Sequence, residues 1–316
     1  MASSDHQMFP VTLERTPTSI DKPFTLRRLY ETGNLRRSGL LEQPEPSQYL
    51  NKKICAIRGN VVQLLVDGVI TAANTELSGS HFANNVDSGV HEAGGQRLRQ
   101  ACRALGGCAV GGAKATNGHG LAARWLIHAV APVFSSAMQG ERGLQLRSAY
   151  LNGMRCAVQN RCRTIAISCL SIGPYGFPTG TSAMIALEAV KEFLQGPSGH
   201  VLRKVILVVT TLHEAEVYAM CLPRYFPPTR SDLGLPPTEP LLPTLTFQPW
   251  GPSGYRNSGP YGQIFCHPAV GNADNAVEPE ERRAPIETLA VDDRAEDPAS
   301  LLAAMKDTFR GWFACF

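Results

Sequence analysis

At 316 residues, with 43% hydrophobic and 18% charged side chains, the chain can fill one large domain or two small ones around a real core. Its longest apolar run, near Val205 to Val209, falls far short of the roughly 20 residues of a membrane span. The first 25 residues carry no apolar stretch of the secretory kind, and nine scattered cysteines without a CxxC pair argue for a reducing compartment (cytoplasm or nucleus) and against a disulfide framework or a zinc site.

In chain order, residues 1–49 are rich in Ser, Thr, Pro and paired arginines, with one short helix expected around Phe24 to Tyr30; they read as a partly disordered lead-in. From Ile54 the character changes. Apolar runs at Ile54–Ile57, Val66–Ala73, Trp125–Val130, Thr164–Leu170 and Val205–Thr210 read as strands, several without alternation and so buried on both faces. Helical spacing appears between and after them, at about Val86 to Leu105, Leu144 to Asn160, Ser182 to Phe193 and His213 to Leu222. Strands alternating with helices predict a layered α/β domain with a largely parallel sheet, over about 50–226. Residues 227–296, Pro/Gly-rich and then acidic, read as a disordered linker, and Asp297 to Phe316 as an amphipathic helix opened by Asp297 and Pro298.

The formal net charge of +3 hides an uneven distribution. Residues 51–226 hold 17 basic and 9 acidic side chains, whereas 227–316 hold 7 basic and 12 acidic. A basic centre beside an acidic tail suits an anionic ligand on the centre, or a solvated surface that the tail partly neutralises.

The chemistry-bearing stretches lie in 50–194. There is no P-loop, because the glycines of 106–112 are not followed by Lys-Ser/Thr, and there is no GxSxG elbow. Four motifs occur in one order: LNKKICAIRGNVVQLLVDGVITAAN at 50–74, VDSGVHEAGG at 86–95, AKATNGHGLAARWLIHAVAP at 113–132 and SCLSIGPYGFPTGTSAMIAL at 168–187. Together they resemble a macrodomain, most closely the MacroD-type branch, from about Leu50 to Phe226.

The resemblance implies a three-layer α/β/α fold with a mixed, largely parallel sheet. It also implies a cleft for ADP-ribose at the strand ends, and hydrolysis of mono-ADP-ribose esters on protein Asp or Glu, with O-acetyl-ADP-ribose as a related substrate. It places Asn60 and Val61 at the adenine, with Asn keeping an acceptor where the family has Asp. Asn74, Asp87 and His91 fall at catalytic positions. Asn74 would bond the distal ribose, and Asp87, at a helix start, would polarise a water. The loop Ser171-Ile172-Gly173-Pro174-Tyr175-Gly176 would cradle phosphate through backbone N–H groups, with Tyr175 packing on the distal ribose.

This chain departs from the family where a run of glycines is expected. Only Gly79 remains in Leu77–Asn85, and Phe82 and His81 do not give glycine's freedom. Pro174 removes one amide and Ile172 replaces a hydroxyl residue. Two alternatives therefore stand beside the hydrolase: a non-catalytic reader of ADP-ribose or ADP-ribosylated proteins, and a degenerate macrodomain used as a scaffold or RNA-contacting module. No cofactor, metal or membrane is implied. A monomer is expected, and nucleic acid is the lesser expectation among partners.

Overall fold

Strongly β-branched runs flanked by turn residues form the strands that the sequence marks out, and they pair almost entirely in parallel. The computed structural model describes residues 11–12, 18–19, 25–39, 43–80 and 85–236, with backbone alone at 11–12 and 18–19. The proposed acidic linker beyond Pro236 and the C-terminal helix lie outside the described residues.

The elements are β1 (Val11–Thr12), β2 (Thr18–Ser19), α1 (Leu26–Glu31), α2 (Gln48–Lys53), β3 (Ile54–Gly59), β4 (Leu64–Leu65), β5 (Gly68–Ala73), α3 (Val86–Ala104), β6 (Ala113–Asn117), β7 (Trp125–Val130), α4 (Gln139–Gln159), β8 (Thr164–Ser168), α5 (Thr179–Gln195), β9 (Lys204–Val209) and α6 (Leu212–Tyr225). Seven strands form one sheet in the order β1-β3-β9-β8-β5-β7-β6. Every pairing in it is parallel except β6 with β7, so the sheet is mixed but mostly parallel, as expected.

The sheet is covered on both faces by apolar clusters. One joins Ile54, Ile70, Ile165 and Val205 to helices α4, α5 and α6; the other joins Ile57, Val69, Ala166 and Ile206 to α3 through Val90 and Leu98. Helix α3 bends at Gly95, whose φ of 63° and ψ of −156° interrupt the helix.

The packed unit is wider than residues 50–226. In the lead-in, α1 buries Leu26, Leu29 and Tyr30, and Leu35 follows them into the core. Tyr30 donates its hydroxyl to the Phe226 carbonyl at 2.7 Å. Past Phe226, Asp232 is fully buried and accepts from Asn51 Nδ2 at 2.8 Å and from the Thr229 amide at 2.9 Å. Residues 227–236 are thus held by a buried carboxylate that a proline count does not reveal.

Candidate functional site

In a parallel sheet the strand C-termini share one edge, and side chains leaving the last residues of β5, β8 and β9 converge there. At this edge a cleft of about 310 Å³ opens, at the small end of the roughly 300–1,000 Å³ typical of small-molecule sites. Ala72 forms its floor with Ser168 and Cys169. Ser80, Asn85, Val86 and Asp87 form one wall, Ile172 to Tyr175 another, and Thr210, Thr211 and Glu214 close an end.

The loop after β8 is built to expose amides. Ser171 and Gly173 both take positive φ, 63° and 73°, and Gly176 closes the turn at 74°. Ser171 is fixed in this unusual conformation by donating Oγ to the Pro132 carbonyl at 2.8 Å and by accepting the Phe177 amide at 3.0 Å. The buried Tyr150 hydroxyl and the Ser182 hydroxyl hold Leu170 from behind, at 2.9 and 2.8 Å. Among the described residues no acceptor takes the amides of Ile172 or Gly173, and both residues line the cleft. Pro174 occupies the start of a 3-10 turn, where an N–H is not needed, so its missing donor costs the turn nothing. Successive N–H groups of this kind make an anion-binding concavity.

The opposite wall carries the carboxylate. Asn85 and Ser88 form a reciprocal cap at the start of α3, which fixes Asp87 in the first turn. Asp87 accepts the Ser80 amide, yet burial dominates and pushes its pKa up to about 6. Among the described residues its Oδ1 is buried with no hydrogen-bond partner. His91 Nε2 stands 3.6 Å from that oxygen, too far for a hydrogen bond. Burial, with help from Arg99, lowers the His91 pKa, so the imidazole is neutral at pH 7 and the contact is not an ion pair.

His91 itself lies behind the wall, only 5% exposed, with Gly79 flat against its ring: a Cβ at 79 would meet Cγ of His91 at 2.9 Å. The single glycine left in that loop is there because a ring fills the space a side chain would need, and because φ is +87°.

The other expected positions separate. Asn74 is half-buried and turns back on its own loop. Its Nδ2 donates to Ser78 Oγ and to the Gly79 carbonyl, each at 3.0 Å, and its Oδ1 accepts the Ser78 amide at 3.0 Å. Asn60 is exposed and caps the 3-10 turn 61–63 by accepting the Val62 amide at 3.0 Å, while Val61 is buried in the core. Of the residues singled out from the sequence, the structure brings Asp87, Ile172, Gly173, Pro174 and Tyr175 together in the cleft walls. Asn60, Val61, Asn74, Gly79, His91, Ser171 and Gly176 stand outside them.

Sequence reasoning missed the closing end. Glu214 accepts the amides of Thr210 at 2.7 Å and Thr211 at 3.4 Å, and Thr211 Oγ1 accepts the Glu214 amide at 3.1 Å. The Thr-x-x-Glu signal of a helix start was present in the sequence; what it could not give is that β9 sits between β3 and β8 and delivers this start to the cleft.

Three metal-capable side chains, His91 and Cys102 on α3 and His128 on β7, have ligand atoms within 4.8 Å of one another, all buried. His128 Nε2 already meets Thr116 Oγ1 at 3.0 Å and Cys102 Sγ at 3.6 Å. Burial lowers the His128 pKa to about 4 and raises that of Cys102 to about 11, which describes a neutral polar cluster in the core.

A cleft at the C-terminal edge of a parallel sheet, lined by a loop with open amides and by a desolvated carboxylate, is the place where open α/β domains hold small ligands. The comparisons give the family. The Macro domain family model matches residues 70–186. The macro domain-containing protein CT2219 of Chlorobaculum tepidum is 40% identical over 172 residues, which are 54% of this chain and 96% of that protein. The chain belongs to the macrodomain family and is of the MacroD type. ADP-ribose glycohydrolase MACROD1 of Bos taurus is 35% identical over 189 residues, 59% of this chain; the chain spans 57% of that relative's length. The Trypanosoma brucei macrodomain solved in complex with ADP-ribose shares the fold with a TM-score of 0.52 at 28% identity, covering 68% of this chain and 80% of that one.

Proposed function

We propose that the cleft binds ADP-ribose and that Asp87 turns it over as the ester of a protein Asp or Glu. The observation that carries the reading is that Ile172 and Gly173, whose amides meet no acceptor among the described residues, and Asp87, whose carboxyl is largely desolvated, line one cleft. In this reading the amides take the diphosphate. Cation side chains are not among the cleft-lining residues described, so the anion is met by backbone dipoles. Tyr175, half-buried beside the loop, packs on the distal ribose, and the ribose reaches Asp87.

Ionised Asp87 draws a proton from a water that attacks the anomeric carbon of the distal ribose. The bond from that carbon to the ester oxygen breaks, and the protein carboxylate leaves with the electron pair. Desolvation makes Asp87 a stronger base than a free carboxylate, while it remains ionised above about pH 6. Support comes from the relative named ADP-ribose glycohydrolase and from the neighbour solved with ADP-ribose.

A second reading, binding without turnover, is favoured by Asn74, which spends its amide on Ser78 and Gly79. The test is release of ADP-ribose from a Glu-linked mono-ADP-ribosylated protein, with Asp87→Asn alongside. Turnover that falls by about 10²–10⁴ in the variant supports the hydrolase. Saturable binding with no turnover in the native chain selects the reader.

A further inference from the structure

The strands of the parallel sheet that end at the cleft all begin at the opposite edge, and the surplus of basic side chains gathers there. Lys52 and Lys53 precede β3, Arg203 and Lys204 open β9, Arg161 and Arg163 precede β8, and Arg124 precedes β7. The register makes them neighbours. Ile54 pairs with Val205, Lys204 with Thr164, and Gly68 with both Ile165 and Trp125. Four strand spacings of about 4.8 Å make this a row about 20 Å long. A six-residue strand separates it from the cleft by about 20 Å, so the two are distinct sites.

Three of these cations have hydrogen-bond partners: Lys53 Nζ donates to the Gly199 carbonyl at 3.0 Å, Lys204 Nζ to the Lys52 carbonyl at 2.7 Å and Lys52 Nζ to Gln48 Oε1 at 3.1 Å, which leaves Lys52 its charge. Lys52, Arg124, Arg161, Arg163 and Arg203 are exposed, and among the described residues none of them is in an ion pair. The carboxylate at these strand starts is Asp67, whose Oδ2 accepts the amides of Arg163 and Thr164 and the Thr164 hydroxyl at 2.8, 2.8 and 2.9 Å, and whose charge is felt by Arg124 alone of the row. Cations after helix ends do complement helix dipoles, which accounts for Lys52 and Arg161, but not for Arg124, Arg163 and Arg203. Aromatic faces interleave with the charges. Tyr49, 51% exposed, lies under Lys53 Nζ at 4.3 Å, and Trp125 lies under Arg124 at 5.9 Å.

The geometry points to this edge as a binding surface for a single-stranded nucleic acid. A row of exposed cations flanked by aromatic rings follows a phosphodiester backbone and offers a face for stacking a base. The surface is independent of the cleft and stands whether or not the cleft binds ADP-ribose.

The test is fluorescence anisotropy of a labelled 20-nucleotide single-stranded RNA titrated with the full chain between 50 and 200 mM salt. The expected result is saturable binding whose log affinity falls with log salt at about −0.7 per phosphate engaged, about −3.5 for the five exposed cations acting together. The charge reversal Arg161→Glu/Arg163→Glu/Arg203→Glu weakens binding at least tenfold and flattens the slope by about two. The reversal Arg97→Glu/Arg99→Glu/Arg103→Glu on α3, of equal charge, changes it less than twofold. Thermal melting of both variants checks that each folds. No binding at 50 mM salt, or equal losses from the two reversals in folded proteins, overturns the proposal. Capture by phosphatidylserine vesicles without RNA binding overturns it as well and assigns the edge to a lipid surface.

Discussion

The two loops that wall the cleft solve opposite problems. The loop 171–176 is held from outside: Tyr150, Ser182 and the Pro132 carbonyl grip its base, so its own amides at Ile172 and Gly173 stay open. The stretch 74–80 is held from inside. Asn74 consumes three hydrogen-bonding positions on Ser78 and Gly79, and Gly79 rests on the His91 ring. The first loop is shaped to receive a ligand, and the second to position the helix that carries Asp87. Asn74 spends its amide within its own loop, whereas the Ile172 and Gly173 amides take no acceptor among the described residues.

The largest effect is expected at Asp87. Asp87→Asn lowers turnover by about 10²–10⁴ while leaving the Kd for ADP-ribose within about threefold, measured by single-turnover assay and calorimetry. In the native chain the rate climbs with pH and levels off above about 6, because the ionised form is the base. The same shift acts on stability with a definite sign. A carboxyl whose folded pKa is raised from 3.8 to about 6 contributes fully below the unfolded value, and that contribution is lost as pH rises through about 6. Asp87→Asn is therefore more stable than native at pH 7.5, by on the order of 2 kcal/mol, and equal to it near pH 3.5. Equal melting curves at both pH values would mean that burial does not set this pKa.

The receiving loop comes next. Gly173→Val forces a β-branched residue to φ +73° without any clash, since no atom lies within 4 Å of a Cβ there. The expected result is a loss of ADP-ribose affinity of about tenfold or more with a melting temperature near native, because the strain reorients the amide rather than the core. In the positioning loop the order reverses. Gly79→Ala, with φ +87° and a Cβ 2.9 Å from His91, destabilises the fold by about 1–3 kcal/mol and affects affinity less than turnover.

The smallest effect is at Asn60. Asn60→Ala removes the cap on the Val62 amide, about 1 kcal/mol or less of stability, and changes ADP-ribose affinity less than twofold. A tenfold loss would place Asn60 at the adenine, as the resemblance implies.

The parallel strands were legible because strands buried on both faces read as unbroken β-branched runs; Trp125–Val130 appears with its bounds unchanged. Ala113–Asn117 was not legible, since an edge strand of small and polar residues carries no such run. Asp87 and the loop 172–175 were legible through the macrodomain motifs they resemble, VDSGVHEAGG and SCLSIGPYGFPTG, each of which is a contiguous stretch. Thr210, Thr211 and Glu214 were not, because their arrival at the cleft depends on β9 inserting between β3 and β8, a pairing across more than 140 residues of chain. Asn74 shows the converse: the Asn that ends its motif is kept, but Ser78, four residues on, takes its amide.

The most direct measurement is a calorimetric titration of the full chain with ADP-ribose, native and Gly173→Val in parallel. The full chain is required because Leu26, Leu29, Tyr30 and Leu35 belong to the core. The account predicts one saturable site in the native protein and affinity at least tenfold weaker in Gly173→Val. No heat of binding at millimolar ligand in the folded native protein would contradict it.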